Sequence, residues 1–96
     1  IGLDLNDESL GNAGTGIYIA SNSDSNLIGN SDESLANTIA YNEQQGVFIA
    51  TSSPSSTANA VFKNSIFSNG LMGLDLENTS ALPTMKMTAT AALTTY

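Results

Sequence analysis

Residues 37–50, NTIAYNEQQGVFIA, lie over residues 64–77, NSIFSNGLMGLDLE, without a gap. Upstream, NAGTGIYI from Asn12 carries the same kernel: Asn, three residues, Gly, apolar, any, apolar. The kernel therefore occurs three times, on Asn12, Asn42 and Asn69 with Gly16, Gly46 and Gly73, at steps of 30 and 27 residues. Shorter elements recur around it. DESLGN (7–12) matches DESLAN (32–37), and NLIGN (26–30) resembles NAVFKN (59–64). The difference in step length falls in SDESLA (31–36) and TSSPSSTA (51–58), which have the composition of surface loops.

Each slot of the repeat has a physical reading. Alternation in G-[IVL]-x-[IVL] predicts short strands that turn Ile17, Ile19, Val47, Ile49, Leu74 and Leu76 to one side. Tyr18, Phe48 and Asp75 then point to the other. A second short strand carries Ile39 and Ile66 inward from N-T-I-A-Y-N and N-S-I-F-S-N. Apolar runs of three to five residues are too short for a helical face. Asn and Gly close these runs, where the chain is expected to turn sharply through left-handed dihedrals. Short strands at such a period predict a coil of parallel strands, each turn stacked on the next at about 4.8 Å. One turn cannot bury its apolar face alone, so the turns share a continuous core. Asn12, Asn42 and Asn69 are expected to fall in one column, with Asn37 and Asn64 in a second, each a ladder of hydrogen-bonded side-chain amides. Each Asn making only its own turn is the plainer alternative.

These stretches resemble the repeats of bacterial right-handed parallel β-helix proteins. The likeness is greatest to large secreted or surface-exposed ones, in which N-x-I-G and L-G-N-x-x-x-G-V-x-I elements alternate. It covers residues 1–78 and implies an all-β, right-handed parallel β-helix of about three turns. The turns are placed at 1–25, 26–58 and 59–80. Residues 81–96 are read as a C-terminal strand that caps the last turn or docks on a neighbour. Within them Met85, Met87, Ala89, Ala91 and Leu93 alternate with polar residues, and Pro83 suits the start of an edge strand.

Composition narrows the chemistry. The 96 residues include no Cys, His or Trp and only Lys63 and Lys86 as cations, against nine acids, for a formal charge of −7. Disulfides, thiol chemistry, imidazole triads and His/Cys metal sites are excluded. Two lysines cannot supply a phosphate-binding surface, so nucleic acid is not an expected partner. No apolar run reaches the length of a membrane span, and IGLDLNDES lacks the features of a signal peptide.

Some β-helices of the kind resembled are polysaccharide lyases or hydrolases. Glycoside hydrolysis needs two carboxyls at a set separation. On the outward strand column only Asp75 is acidic, with Asp4 in a matching G-L-D-L at 2–5, so no catalytic residue is assigned. Asp4, Asp7 and Glu8, and Asp32 with Glu33, are acidic loops that could attract calcium but lack a calcium-loop spacing, so no cofactor is expected. Tyr18 and Phe48 should stack as an outward aromatic column, with Asp75 below them as a binding surface for an extracellular polysaccharide, or be covered by another strand or chain. Unpaired strand edges at the two ends point to self-association or stacking on further turns. The chain is thus expected to be an extracellular or cell-surface structural or adhesive module, able to build filaments and not an enzyme.

Overall fold

A computed structural model describes residues 1–50 and 56–77 and the backbone of 86–88; of Glu33 only the backbone is described. Eight three-residue strands follow in order: β1 (Ile17–Ile19), β2 (Leu27–Gly29), β3 (Thr38–Ala40), β4 (Val47–Ile49), β5 (Ala60–Phe62), β6 (Ser65–Phe67), β7 (Leu74–Leu76) and β8 (Lys86–Thr88). Every strand pairs in parallel with the strand three places along, giving sheets β1-β4-β7, β2-β5-β8 and β3-β6. One turn of the coil is therefore three strands and three corners. The register is that of the sequence repeat: Tyr18 beside Phe48 and Phe48 beside Asp75, with Ile39 beside Ile66. β2, β3 and β4 lie within 26–58, and β5, β6 and β7 within 59–80.

The pleat alternates as the apolar pattern requires. Ile39, Val47, Ile49 and Ile66 are 0% exposed, and with Val61, Ile28 and Ile19 they form one core running through all three sheets. Ile17, Leu74 and Leu76 pack against that core but are only half-buried. Each fully buried Ile or Val is worth about 1.5–3 kcal/mol relative to an exposed one. No single turn could supply such a core, because the fully buried side chains of β4 and β5 are covered by strands on both sides.

Corners accommodate different lengths without disturbing the stack. Between β5 and β6 the chain turns in two residues, Lys63 and Asn64, whereas between β2 and β3 it takes residues 30–37 and includes a short 3₁₀ turn, Glu33–Leu35. A second excursion precedes β1. Ile1 pairs with β3, accepting from the Ala40 amide at 3.0 Å and donating its ammonium to the Thr38 carbonyl at 2.7 Å. A Cβ on Gly2 would meet the Ala40 carbonyl, and one on Gly11 would meet that of Tyr41. The Leu10 amide donates back to Gly2 at 2.9 Å, so residues 3–10 leave the coil and return to it. The two DESL elements thus serve as loops at different corners, and the Asn that ends each belongs to a different column.

Gly29 and Asn22 take positive φ as the sequence reading expects, but at the column corners the left-handed residue is the one before the Asn. Tyr41, Ser68, Lys63, Ser25 and Ala58 have φ between 52° and 61°, and each immediately precedes a column Asn: Asn42, Asn69, Asn64, Asn26 and Asn59. Gly16 and Gly46 have no positive φ. Their reason is space, set out below.

β8 extends the β2-β5 sheet within the same chain, with Met87 at the register position below Val61. The rest of the expected cap or arm at 81–96, including Pro83, lies outside the described residues, as do residues 51–55.

Candidate functional site

Two groupings stand out from the rest of the coil: the amide columns at its corners and the outward face of the β1-β4-β7 sheet. At the first corner the Asn12 Nδ2 donates to Asn42 Oδ1 at 2.9 Å, and Asn42 Nδ2 to Asn69 Oδ1 at 3.0 Å. The backbone amides of Asn12 and Asn42 reinforce the same oxygens at 3.2 and 3.1 Å. Asn69 ends the line by donating to the Ile39 and Phe67 carbonyls. Asn37 donates to Asn64 at 3.0 Å, and Asn64 to the Ile28 carbonyl at 2.9 Å. Both expected ladders are present in this geometry. A third, Asn26 to Asn59 at 3.0 Å with Asn59 donating to Ser23, occupies the remaining corner. Its signal was the recurrence of NLIGN and NAVFKN.

The repeat glycines make room for these amides. A Cβ on Gly16 would lie 2.6 Å from the Gly46 carbonyl oxygen and 2.7 Å from Asn42 Nδ2. On Gly46 it would lie 2.7 Å from the Gly73 oxygen, 2.8 Å from Ile66 Cγ2 and 2.9 Å from Asn69 Nδ2. Asn and Gly recur together because the side-chain amide fills the space the missing Cβ leaves. Among the described residues no buried side-chain nitrogen or oxygen lacks a partner, so the columns close the polar accounting of the corners.

On the outward face, the Tyr18 and Phe48 rings stack at 5.1 Å between centroids and 24° between planes. Tyr18 is 61% exposed, while Phe48 and Asp75 are half-buried. A polar line runs beside the rings. The Thr15 hydroxyl donates to Gln45 Oε1 at 3.0 Å, and Gln45 Nε2 donates to Asp75 Oδ2 at 3.0 Å. Chemically this face offers a flat apolar ring edged by a hydroxyl, an amide and a carboxylate. A second aromatic pair, Tyr41 and Phe67, meets edge to face at 5.8 Å.

The acidic loops use their carboxylates locally. Asp4 Oδ1 accepts from the amides of Asn6 and Glu8. Asp32 Oδ1 accepts from the Ser34 hydroxyl at 2.7 Å and the Ser34 amide at 2.9 Å. The hydroxyl first, and then the amide, hold the Asp32 carboxyl below its ordinary value. Any stability this adds is present above the unfolded carboxyl value and fades as pH falls through the lower folded one. Among the described residues, no three Asp or Glu side chains gather in a way that could hold a metal ion, and no helix is long and apolar enough to cross a membrane.

No curated protein and no solved structure matches the chain. A family model described as a right-handed β-helix region matches residues 5–88. That span runs from the loop before β1 to the end of β8 and takes in all three amide columns. On the parallel register, the shared core and this match together, the chain belongs to the right-handed β-helix family.

Proposed function

We propose that this chain is an extracellular structural or adhesive module that acts by stacking its coil end to end on further β-helix turns, as a filament-forming subunit. One observation carries the reading. Positions that are sealed in the middle of the coil are slightly less covered on β1 and β2. Ile49 is 0% and Val61 2% exposed, whereas Ile19 and Ile28, directly above them in register, are 7% and 9% exposed, and Ile17 above the buried Val47 is half-buried. Apolar side chains and unpaired strand edges of this kind favour a further strand layer. The extracellular assignment draws on the resemblance to repeats of secreted proteins. Light scattering over a concentration series tests the reading. Mass is expected to rise with concentration toward rods one coil wide. A strict monomer throughout would overturn it.

A second reading has its own support in the Tyr18/Phe48 stack. An exposed ring edged by Thr15, Gln45 and Asp75 suits the apolar face of a sugar with its hydroxyls hydrogen-bonded alongside. No catalytic step is assigned to Asp75, whose Oδ2 is engaged by Gln45. On a glycan array, Tyr18→Ala is expected to weaken any genuine binding about tenfold, as loss of one aromatic contact of roughly 1.5 kcal/mol would. Binding that survives unchanged, or none to begin with, removes this reading.

A further inference from the structure

The amide columns carry a second tie. The backbone N–H that follows a column Asn donates to the backbone carbonyl of the Asn one turn before: Glu43 to Asn12 at 2.9 Å, Gly70 to Asn42 at 2.8 Å, Ala60 to Asn26 at 2.9 Å and Ser65 to Asn37 at 2.8 Å. That nitrogen matters chemically. It is the one that can attack the side-chain carbonyl carbon of the Asn before it, closing a succinimide ring and expelling ammonia. Attack is least hindered where the following residue is Gly, which has no Cβ to crowd the nitrogen and the most backbone freedom to swing it inward. Of the eleven Asn in the chain, only Asn69 precedes a Gly. The stack imposes both residues of this pair. Asn69 is a rung of the Asn12 column, and a Cβ on Gly70 would lie 2.1 Å from the Glu43 carbonyl oxygen.

We propose that Asn69–Gly70 is a modification site that the intact coil keeps silent and that opening of its corner switches on, with water as the only co-reactant. In the closed corner every participant is held. Asn69 is 6% exposed, and its Oδ1 accepts from the Asn42 amide and side chain at 3.1 and 3.0 Å. Its Nδ2 donates to the Ile39 and Phe67 carbonyls, and the Gly70 nitrogen is tied to Asn42. Reaction therefore requires a local opening that frees both partners. The Gly70 nitrogen then bonds to Asn69 Cγ, the Cγ–Nδ2 bond breaks, and Nδ2 leaves as ammonia with the proton that the Gly70 nitrogen gives up. Water opens the ring at either carbonyl, leaving Asp at 69 or an isoaspartyl link through the side chain. Neither product can remake the rung. Asp sets a carboxylate oxygen against the Ile39 and Phe67 carbonyls where Nδ2 donated, a buried charge facing acceptors. The isoaspartyl form adds a carbon to the backbone and carries the Gly70 nitrogen away from Asn42. An opening that is reversible before reaction becomes permanent after it.

The test incubates the full chain at pH 8, native and in guanidinium chloride, and follows each Asn by peptide mass spectrometry with isoaspartate counted separately. Asn22–Ser23 and Asn64–Ser65 form a matched pair, the same dipeptide with Asn22 exposed and Asn64 buried in its column. In denaturant Asn69 is expected to react first and to give both products, the mark of a succinimide, while Asn22 and Asn64 react alike. In the native protein Asn69 and Asn64 are expected to slow at least about a hundredfold, which is an opening free energy of roughly 2.8 kcal/mol, and Asn22 to slow far less. Chain deamidated at Asn69, separated by its added charge, is expected to unfold at lower denaturant than the intact protein. Asn69 reacting as fast in the native protein as in denaturant, or lagging behind Asn22 and Asn64 in denaturant, overturns the site. A deamidated fraction that unfolds together with the intact protein overturns the switch.

Discussion

Asn42→Asp is expected to cost about 4 kcal/mol at pH 7, and most of that loss is expected to disappear in acid. The substitution keeps the shape of the side chain and exchanges one nitrogen for oxygen. One carboxylate oxygen can still accept from the Asn12 amide and side chain at 3.2 and 2.9 Å. The other replaces the Nδ2 that donates to Asn69 Oδ1 at 3.0 Å, so two acceptors face each other where a hydrogen bond stood. Asn42 is 1% exposed, and water cannot intervene. Burial and the facing oxygen both favour the neutral acid, which lifts its folded pKa above the unfolded value of about 3.9. In the window between those values the folded state binds the extra proton, so the variant loses stability as pH rises through it. Below the window the protonated carboxyl can donate to Asn69 and restore the line. Urea unfolding of variant and wild type at pH 7 and near pH 4 gives the two differences directly. Asn12→Asp, at the exposed end of the same column, is the comparison and should cost on the order of 1 kcal/mol or less. An Asn42→Asp protein as stable as wild type at pH 7 would mean the columns do not hold the corners.

Gly46→Ala is expected to cost about 3 kcal/mol, which for a chain of this size lowers Tm by roughly 12–24 °C. A methyl group there would stand less than 3.0 Å from three atoms at once, the Gly73 carbonyl oxygen, Ile66 Cγ2 and Asn69 Nδ2. The first is backbone in the next turn. The second belongs to a side chain with no exposure, and the third to a buried ladder amide. None can yield without shifting a turn of the coil. Gly14 offers the control, since a Cβ there would meet nothing within 4 Å. Gly14→Ala should be neutral or more stable by about 0.4–1 kcal/mol, through the narrower unfolded ensemble. Thermal melts of the two variants side by side separate close approach from glycine content in general.

The sequence was most informative where the coil repeats with least variation. Ile39 over Ile66 and Tyr18 over Phe48 over Asp75 are direct readings of the 37–50 and 64–77 overlay, because parallel strands in register preserve sequence spacing in space. The columns of Asn12 and Asn37 followed from the same overlay. The Asn26–Asn59 column was harder to see. Its two rungs stand 33 residues apart, and NLIGN and NAVFKN share little beyond Asn and one inward residue. The corner loops were least legible, since a corner needs only its Asn in place and tolerates any excursion before it. Hence DESL occurs at two unrelated corners. The left-handed residues carry no sequence mark for a related reason. Tyr41, Lys63 and Ala58 are poor choices for positive φ by type, and the following Asn, pinned in its column, fixes the turn for them. Of the outward face, the aromatic stack was expected and the Thr15–Gln45–Asp75 line was not. It joins positions 30 residues apart on turns whose flanking residues differ.

End-to-end growth of the coil is tested most directly by the internal periodicity of the assembled protein, measured by fibre diffraction or cryo-electron microscopy of concentrated full-length chain. Copies that continue the coil place every strand across the long axis. A sharp repeat of about 4.8 Å along that axis, unbroken at the boundaries between copies, is then expected. Assemblies whose 4.8 Å repeat runs across the long axis, or is interrupted between copies, would show that the coils associate by their sides and contradict it.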